Sequence, residues 1–155
     1  MTVSTRHAFT LTVDLLPPTE VGQVQGGFRR IVPIVGGTVD GPDLQGEILP
    51  GGADWNLEGS DGTFTVWARY DIKLADGTII GVVNGGTGVT PPEEEFGKGD
   101  QAPALPTQPK FEVPEGGPEW LKETRFFGLL RESSLTQVRI EIHRWDLDGT
   151  WAPAL

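Results

Sequence analysis

An aspartate and a tryptophan, Asp54 and Trp55, close a stretch broken by glycine and proline that begins at Gly36. A carboxylate beside a flat apolar ring can hold and polarise a small organic molecule. Burial against the indole would raise its pKa toward that of a general base. The same residue types also build turns. Two glycines precede Asp54, and its side chain could accept hydrogen bonds from nearby backbone N–H groups. Both uses stay open. Arg69 lies mid-strand among apolar neighbours. Facing inward, its guanidinium would clamp a carbonyl, enolate or carboxylate oxygen, with Asp54 or Glu112 as its anionic partner. Facing outward, it is solvated with Thr65, Asp71 and Lys73, the reading that alternation alone favours.

Other residues carry the same ambiguity. Asn84, before Gly85 and Gly86, could bind a substrate oxygen or form a turn. Tyr70, the only tyrosine, falls in an apolar row, where a core role competes with lining a ligand. Glu112 could pair with Arg69 or Arg125, or serve as a second carboxylate. Trp55, Trp67 and Trp120 could line an aromatic pocket or fill a core. Lys122 is solvated or reaches the same pocket.

Several chemistries lack their parts. Two distant histidines, His7 and His143, and no cysteine make no zinc site and no disulfide. Glu93, Glu94 and Glu95 lack a calcium-loop pattern. The run from Gly81 to Gly86 lacks the lysine of a phosphate loop, and no serine elbow is present. We therefore expect neither a metal nor a cofactor. The net charge of −10 argues against nucleic acid and anionic membrane as partners. No apolar run approaches the roughly 20 residues of a bilayer span. A signal-peptide pattern is missing at the N-terminus, so a cytoplasmic location is expected.

The elements that must position these groups are short strands. With 22 glycines and 13 prolines, long helices would break. Phe9, Leu11, Val13 and Leu15 alternate with polar residues and stop at Pro17 and Pro18. Further strands are expected over 28–35, 44–49, 54–57, 63–74 and 78–84, with Asp76-Gly77 as a hairpin turn. Residues 110–113, 126–130 and 137–145 complete the set, with a helical turn at 118–122. The span 85–118 holds seven of the prolines and reads as a long lid-like loop. Residues 146–155 read as a tail. Residues 1–155 thus form one all-β domain, a closed or nearly closed antiparallel β-barrel of about eight or nine strands with a lipocalin-like shape, preferred over a sandwich because closure removes exposed edges.

Gly36-Gly37, Gly41-Pro42, the block from Leu49 to Trp55 (Leu-Pro-Gly-Gly-Ala-Asp-Trp), Ala68-Arg69-Tyr70, Asp76-Gly77, Asn84, Pro109, Phe111-Glu112 and Trp120-Leu121 resemble the DUF3237, or UPF0311, family. The resemblance implies a single small β-barrel. It also favours an inward Arg69 and a functional Asn84. Departures occur at Trp67, where the family often has an acid, at Gly85, where it often has arginine, and at Lys122, where it often has asparagine. They imply a more apolar pocket in this chain.

The function expected is a cofactor-independent acid/base enzyme of the lyase type, a hydratase, dehydratase or retro-aldolase, with isomerisation second. It would act on a small apolar carbonyl or hydroxy-carbonyl compound. Asp54 would be the base, Arg69 and Asn84 the oxygen clamp, and the three tryptophans the wall. The alternative is a non-catalytic, lipocalin-like binder of a small hydrophobic ligand. A weaker third reading is a scaffold that forms a homodimer through its outer strands.

Overall fold

A computed structural model describes residues 2–90 and 103–148. Ten strands follow one another: β1 Thr2–Leu15, β2 Thr19–Val24, β3 Gly27–Asp40, β4 Gly46–Ile48, β5 Gly52–Glu58, β6 Thr63–Leu74, β7 Ile79–Val89, β8 Leu105–Glu112, β9 Phe126–Ser134 and β10 Gln137–Asp148. One short helix, α1 Trp120–Glu123, precedes β9. Every pairing between these strands is antiparallel.

The pairings close a ring. β3 bends along its length, with β5 then β4 on one edge and β2 then β1 on the other. From β3 the circuit runs through β5 and β4 to β6, β7, β8, β9, β10 and β1, and β1 returns to β3. β1 with β2 shares one position in that circuit, and β4 with β5 another, which gives the eight positions of a barrel that can fill its interior or hold one small ligand. Pro17 and Pro18 separate β1 from β2 because proline lacks the N–H a ladder needs. Gly77 takes φ 89° in the β6–β7 turn, where Thr78 donates its backbone N–H to Asp76 Oδ1 at 2.9 Å.

Two features depart from expectation. β2 lacks clean alternation, and its glutamate, glutamine and threonine gave no strand signal. The span 85–118 contains sheet at both its described parts: β7 runs on to Val89, and β8 occupies Leu105–Glu112. Its prolines mislead because Pro106 and Pro109 sit within β8. Residues 91–102 of the expected lid lie outside the described residues. Of the expected tail, Asp146 to Asp148 continue β10, and 149–155 lie outside the described residues.

One end of the barrel is packed solid. Phe9, Phe111, Phe126 and Trp120 meet there, with ring centroids 5.8 Å apart for Phe9–Phe111, 5.3 Å for Phe111–Phe126 and 6.0 Å for Trp120–Phe126. Leu121 of α1, Ile72, Ile80 and Ile142 complete this core. Outside it, Asp43 accepts ion pairs from Arg6 at 2.9 Å and Arg144 at 3.3 Å. Asp146 accepts from the same two arginines at 2.9 and 3.1 Å.

Candidate functional site

Away from that end a cavity of about 320 Å³ remains inside the barrel, near the lower limit for small-molecule sites. Its walls are apolar: Val13, Ile34, Val66 and Leu130 among others. Into it come Asp54 and Asn56 from β5, Tyr70 from β6, Asn84 from β7, Arg30 from β3 and Glu132 from β9.

Register explains the arrangement. Residues directly opposite on paired strands share a face. Val32 faces Asp54, Asp54 faces Ala68, and Ala68 faces Asn84, so the three inward groups of β5, β6 and β7 form one row. Ala68 contributes only a methyl group between the carboxyl and the amide. Strands lie about 4.8 Å apart, so Asp54 and Asn84 flank a gap about 9.6 Å wide between backbones.

Asp54 also opens the wall it stands on. The β5–β6 ladder skips the opposed residues Trp55 and Trp67, and Asn56 and Val66. There the backbone N–H of Trp67 donates to Asp54 Oδ1 at 2.9 Å, while the Trp55 carbonyl accepts from Arg29 Nη1 at 2.9 Å. Asn56 Nδ2 donates to Asp54 Oδ2 at 3.5 Å. Asp54 thus bonds backbone as the turn reading expects, and lines the cavity as well. Burial raises its pKa above the usual aspartate value, against the opposing pull of the Trp67 N–H, the Asn56 amide and the Arg29 charge.

Three polar atoms of residues lining the same cavity have no partner within the protein. They are Oδ1 of Asn84 and the hydroxyl of Tyr70, each in a residue 2% exposed, and Oδ1 of Asn56, in a residue 6% exposed. An unmet buried polar group costs about 1–3 kcal/mol, so a site offering several is built for something that meets them. Burial raises the Tyr70 phenol, which keeps it protonated and able to donate.

Arg69 does not join the site. It faces Val83, not Asn84, so it shares the outer, exposed face of β6 with Thr65, Trp67, Asp71 and Lys73. The alternation of β6 decides its direction, and an inward Arg69 would have turned Ala68 and Tyr70 out. Trp55 and Trp67 lie outside for the same reason, 37% and 47% exposed, with ring centroids 5.9 Å apart. The indole at position 67 therefore does not make the pocket more apolar. Trp120 belongs to the packed end, beneath Arg144 at 5.4 Å. Glu112 is exposed on β8, and Lys122 is exposed and paired with Glu119 at 2.7 Å. The structure thus brings Asp54, Asn84 and Tyr70 together and leaves the other six candidates elsewhere.

Arg30, Asn56 and Glu132 are cavity residues that the sequence reading missed. Period-two alternation held the signal: Arg30 is in phase with Phe28 and Val32, Asn56 with Asp54, and Glu132 with Leu130. Arg30 supplies the guanidinium expected of Arg69, but it is already engaged. It pairs with Glu58 at 2.8 Å and lies 4.5 Å over the Phe28 ring. Among the described residues no cluster of three or more metal-ligating side chains occurs, and no helix is long and apolar enough to cross a membrane.

A closed antiparallel ring around a mostly apolar chamber with a few polar groups defines a small β-barrel protein. The family model described as "Protein of unknown function (DUF3237)" matches residues 3–145, and the chain belongs to that family. A UPF0311 protein of Rhodopseudomonas palustris is 31% identical over 149 residues, covering 92% of this chain and 97% of the relative. One from Bradyrhizobium diazoefficiens is 32% identical over 149 residues, with the same coverage. Among solved structures, a conserved protein of unknown function from Rhodopseudomonas palustris superposes with a TM-score of 0.83 at 29% identity, covering 94% of this chain and 99% of that one. A beta-barrel like protein from Acinetobacter baumannii gives 0.80 at 26% identity, covering 94% and 98%. A structure described as an enzyme from Penicillium herquei gives 0.68 at 19% identity, covering 92% and 96%, a likeness of fold.

Proposed function

We propose that the chain is a cofactor-independent acid/base enzyme of the lyase type, acting on a small, mostly apolar carbonyl or hydroxy-carbonyl compound within the barrel. The observation that carries this reading is the half-buried Asp54 carboxyl in register with Asn84 across Ala68, in one cavity with a Tyr70 hydroxyl that has no partner within the protein. Asp54 takes the proton from the carbon next to the carbonyl, and the C–H electron pair moves into the enolate. The Asn84 amide and the Tyr70 hydroxyl hold the developing oxyanion. From that enolate, loss of a β-hydroxyl gives the enone. In the retro-aldol direction Asp54 instead takes the proton of the β-hydroxyl, the carbon–carbon bond breaks, and the enolate is the leaving group. Neither route calls on Arg69. A cytoplasmic setting belongs to the same proposal. A protein described as an enzyme shares the fold, which is compatible with it.

The test is deuterium exchange from solvent into the carbon next to the carbonyl, followed by NMR over a panel of small enones and β-hydroxy ketones. The wild-type protein exchanges, and Asp54→Asn lowers the rate about 10²–10⁴-fold, the usual worth of a general base, while still binding the compound. Equal exchange by Asp54→Asn discards the mechanism. Tight binding with no exchange by either protein returns the chain to the carrier reading.

A further inference from the structure

Glu132 stands on β9 two residues from Leu130, and both line the cavity. Asp54 and Glu132 occupy opposite positions in the ring. One route between their strands passes through β6, β7 and β8, and the other through β3, β1 and β10. Two carboxyl groups therefore enter one small chamber from facing walls. The titratable or charged groups lining that chamber, among the described residues, are Arg30, Asp54, Tyr70 and Glu132. Arg30 is matched by Glu58 at 2.8 Å, so the chamber holds an excess of acid. Three deeply buried polar atoms there, on Asn56, Tyr70 and Asn84, have no partner within the protein. They mark the space between the two walls as a place for a hydrogen-bonding ligand.

We propose that Glu132 is the proton-donating partner of Asp54, that the two grip an uncharged hydroxyl-bearing carbonyl compound between them, and that the chamber rejects carboxylate substrates. This rests on Asp54 being the base. The division of labour follows from their surroundings. Asp54 accepts hydrogen bonds from the Trp67 N–H and the Asn56 amide, which favour its ionised form. Glu132 has burial alone acting on it, which raises its pKa and so favours its protonated form. Asp54 removes the proton next to the carbonyl, and that electron pair forms the new C=C bond. The bond from the β-carbon to its hydroxyl breaks, the oxygen takes the Glu132 proton, and water leaves. Solvent water then carries the proton from Asp54 back to Glu132. A carboxylate on the substrate would meet the ionised Asp54 between apolar walls, with the one lining arginine already paired to Glu58, and like charges repel.

The experiment compares wild type, Glu132→Gln, Glu132→Asp and Asp54→Asn on small β-hydroxy ketones and on the matching β-hydroxy acids. Glu132→Gln keeps deuterium exchange within a few-fold but loses dehydration by about 10²-fold or more, with the fall in rate at high pH gone. Glu132→Asp restores part of the loss, and the β-hydroxy acids are not turned over. Dehydration by Glu132→Gln at the wild-type rate, an equal loss of exchange and dehydration, or turnover of the acids overturns the proposal. Asp54→Asn that keeps both activities discards the base assignment instead, a different pattern. Where the wild type turns over none of the panel, carboxyl-carbon NMR with a β-hydroxy ketone added decides. Movement of both the Asp54 and the Glu132 signals upholds the grip, and movement of neither or of the Asp54 signal alone overturns it.

Discussion

Asp54 joins two roles that compete in the sequence. It replaces a missing rung of the β5–β6 ladder by accepting the Trp67 N–H, and it lines the chamber. Structure and chemistry thus share one carboxyl, and stability should record it. Burial raises the folded-state pKa of Asp54. Between the ordinary carboxylate range, about 4, and that raised value, the folded protein binds more protons than the unfolded chain. Stability therefore falls as pH rises through this window, and above it the ionised carboxyl costs stability. Asp54→Asn keeps an acceptor for the Trp67 N–H and removes the charge. Its melting temperature should exceed that of wild type at neutral pH, and the gap should close as pH drops below about 4. Thermal unfolding followed across pH checks this; a gap that does not change with pH speaks against a buried, strained carboxyl.

At the scale of elements, parity governs what could be read in advance. The long alternation of β6 and the Asp76-Gly77 turn were plain in the sequence, and both stand as expected. Register was not: a hairpin puts residues near one another, but the pairing of Asn84 with Ala68 rather than Arg69 decides which side chain enters the barrel. Arg30 and Glu132 were hidden because an isolated charge in an apolar row looks like noise until closure makes that row an interior. β8 was hidden because its prolines read as loop. Of the candidate site, Asp54 was legible through its neighbours and Asn84 through the family resemblance, while the partners across the barrel depend on contacts distant in sequence. The same row yields a prediction. Ala68→Leu places apolar volume in the gap between Asp54 and Asn84. Stability should change by less than about 1.5 kcal/mol, because the cavity can take the added atoms. Affinity for any chamber ligand should drop at least about tenfold, a change of 1.4 kcal/mol. Trp67→Ala, on the outer face, should leave that affinity unchanged. Chemical denaturation and calorimetric titration check both; Ala68→Leu binding as wild type does would remove the row from the site.

Seen whole, the molecule divides along its axis. Aromatic rings and the arginine–aspartate network close one end, and the mostly apolar chamber with its few polar groups occupies the other. The acidic balance of the chain is repeated inside that chamber, where the one lining arginine is matched by Glu58. A second surface competes for a functional role: the Trp55–Trp67 pair on the outside of β5 and β6, where the dimer-forming scaffold reading would place a partner. One measurement separates the two most directly, a crystal structure of the protein soaked with a β-hydroxy ketone or enone from the exchange panel. The account predicts the compound inside the barrel over Ala68, with its oxygens in hydrogen-bond reach of Asp54 and of the Asn84 amide or Tyr70 hydroxyl. A compound lying against Trp55 and Trp67, with the chamber unchanged, would contradict it.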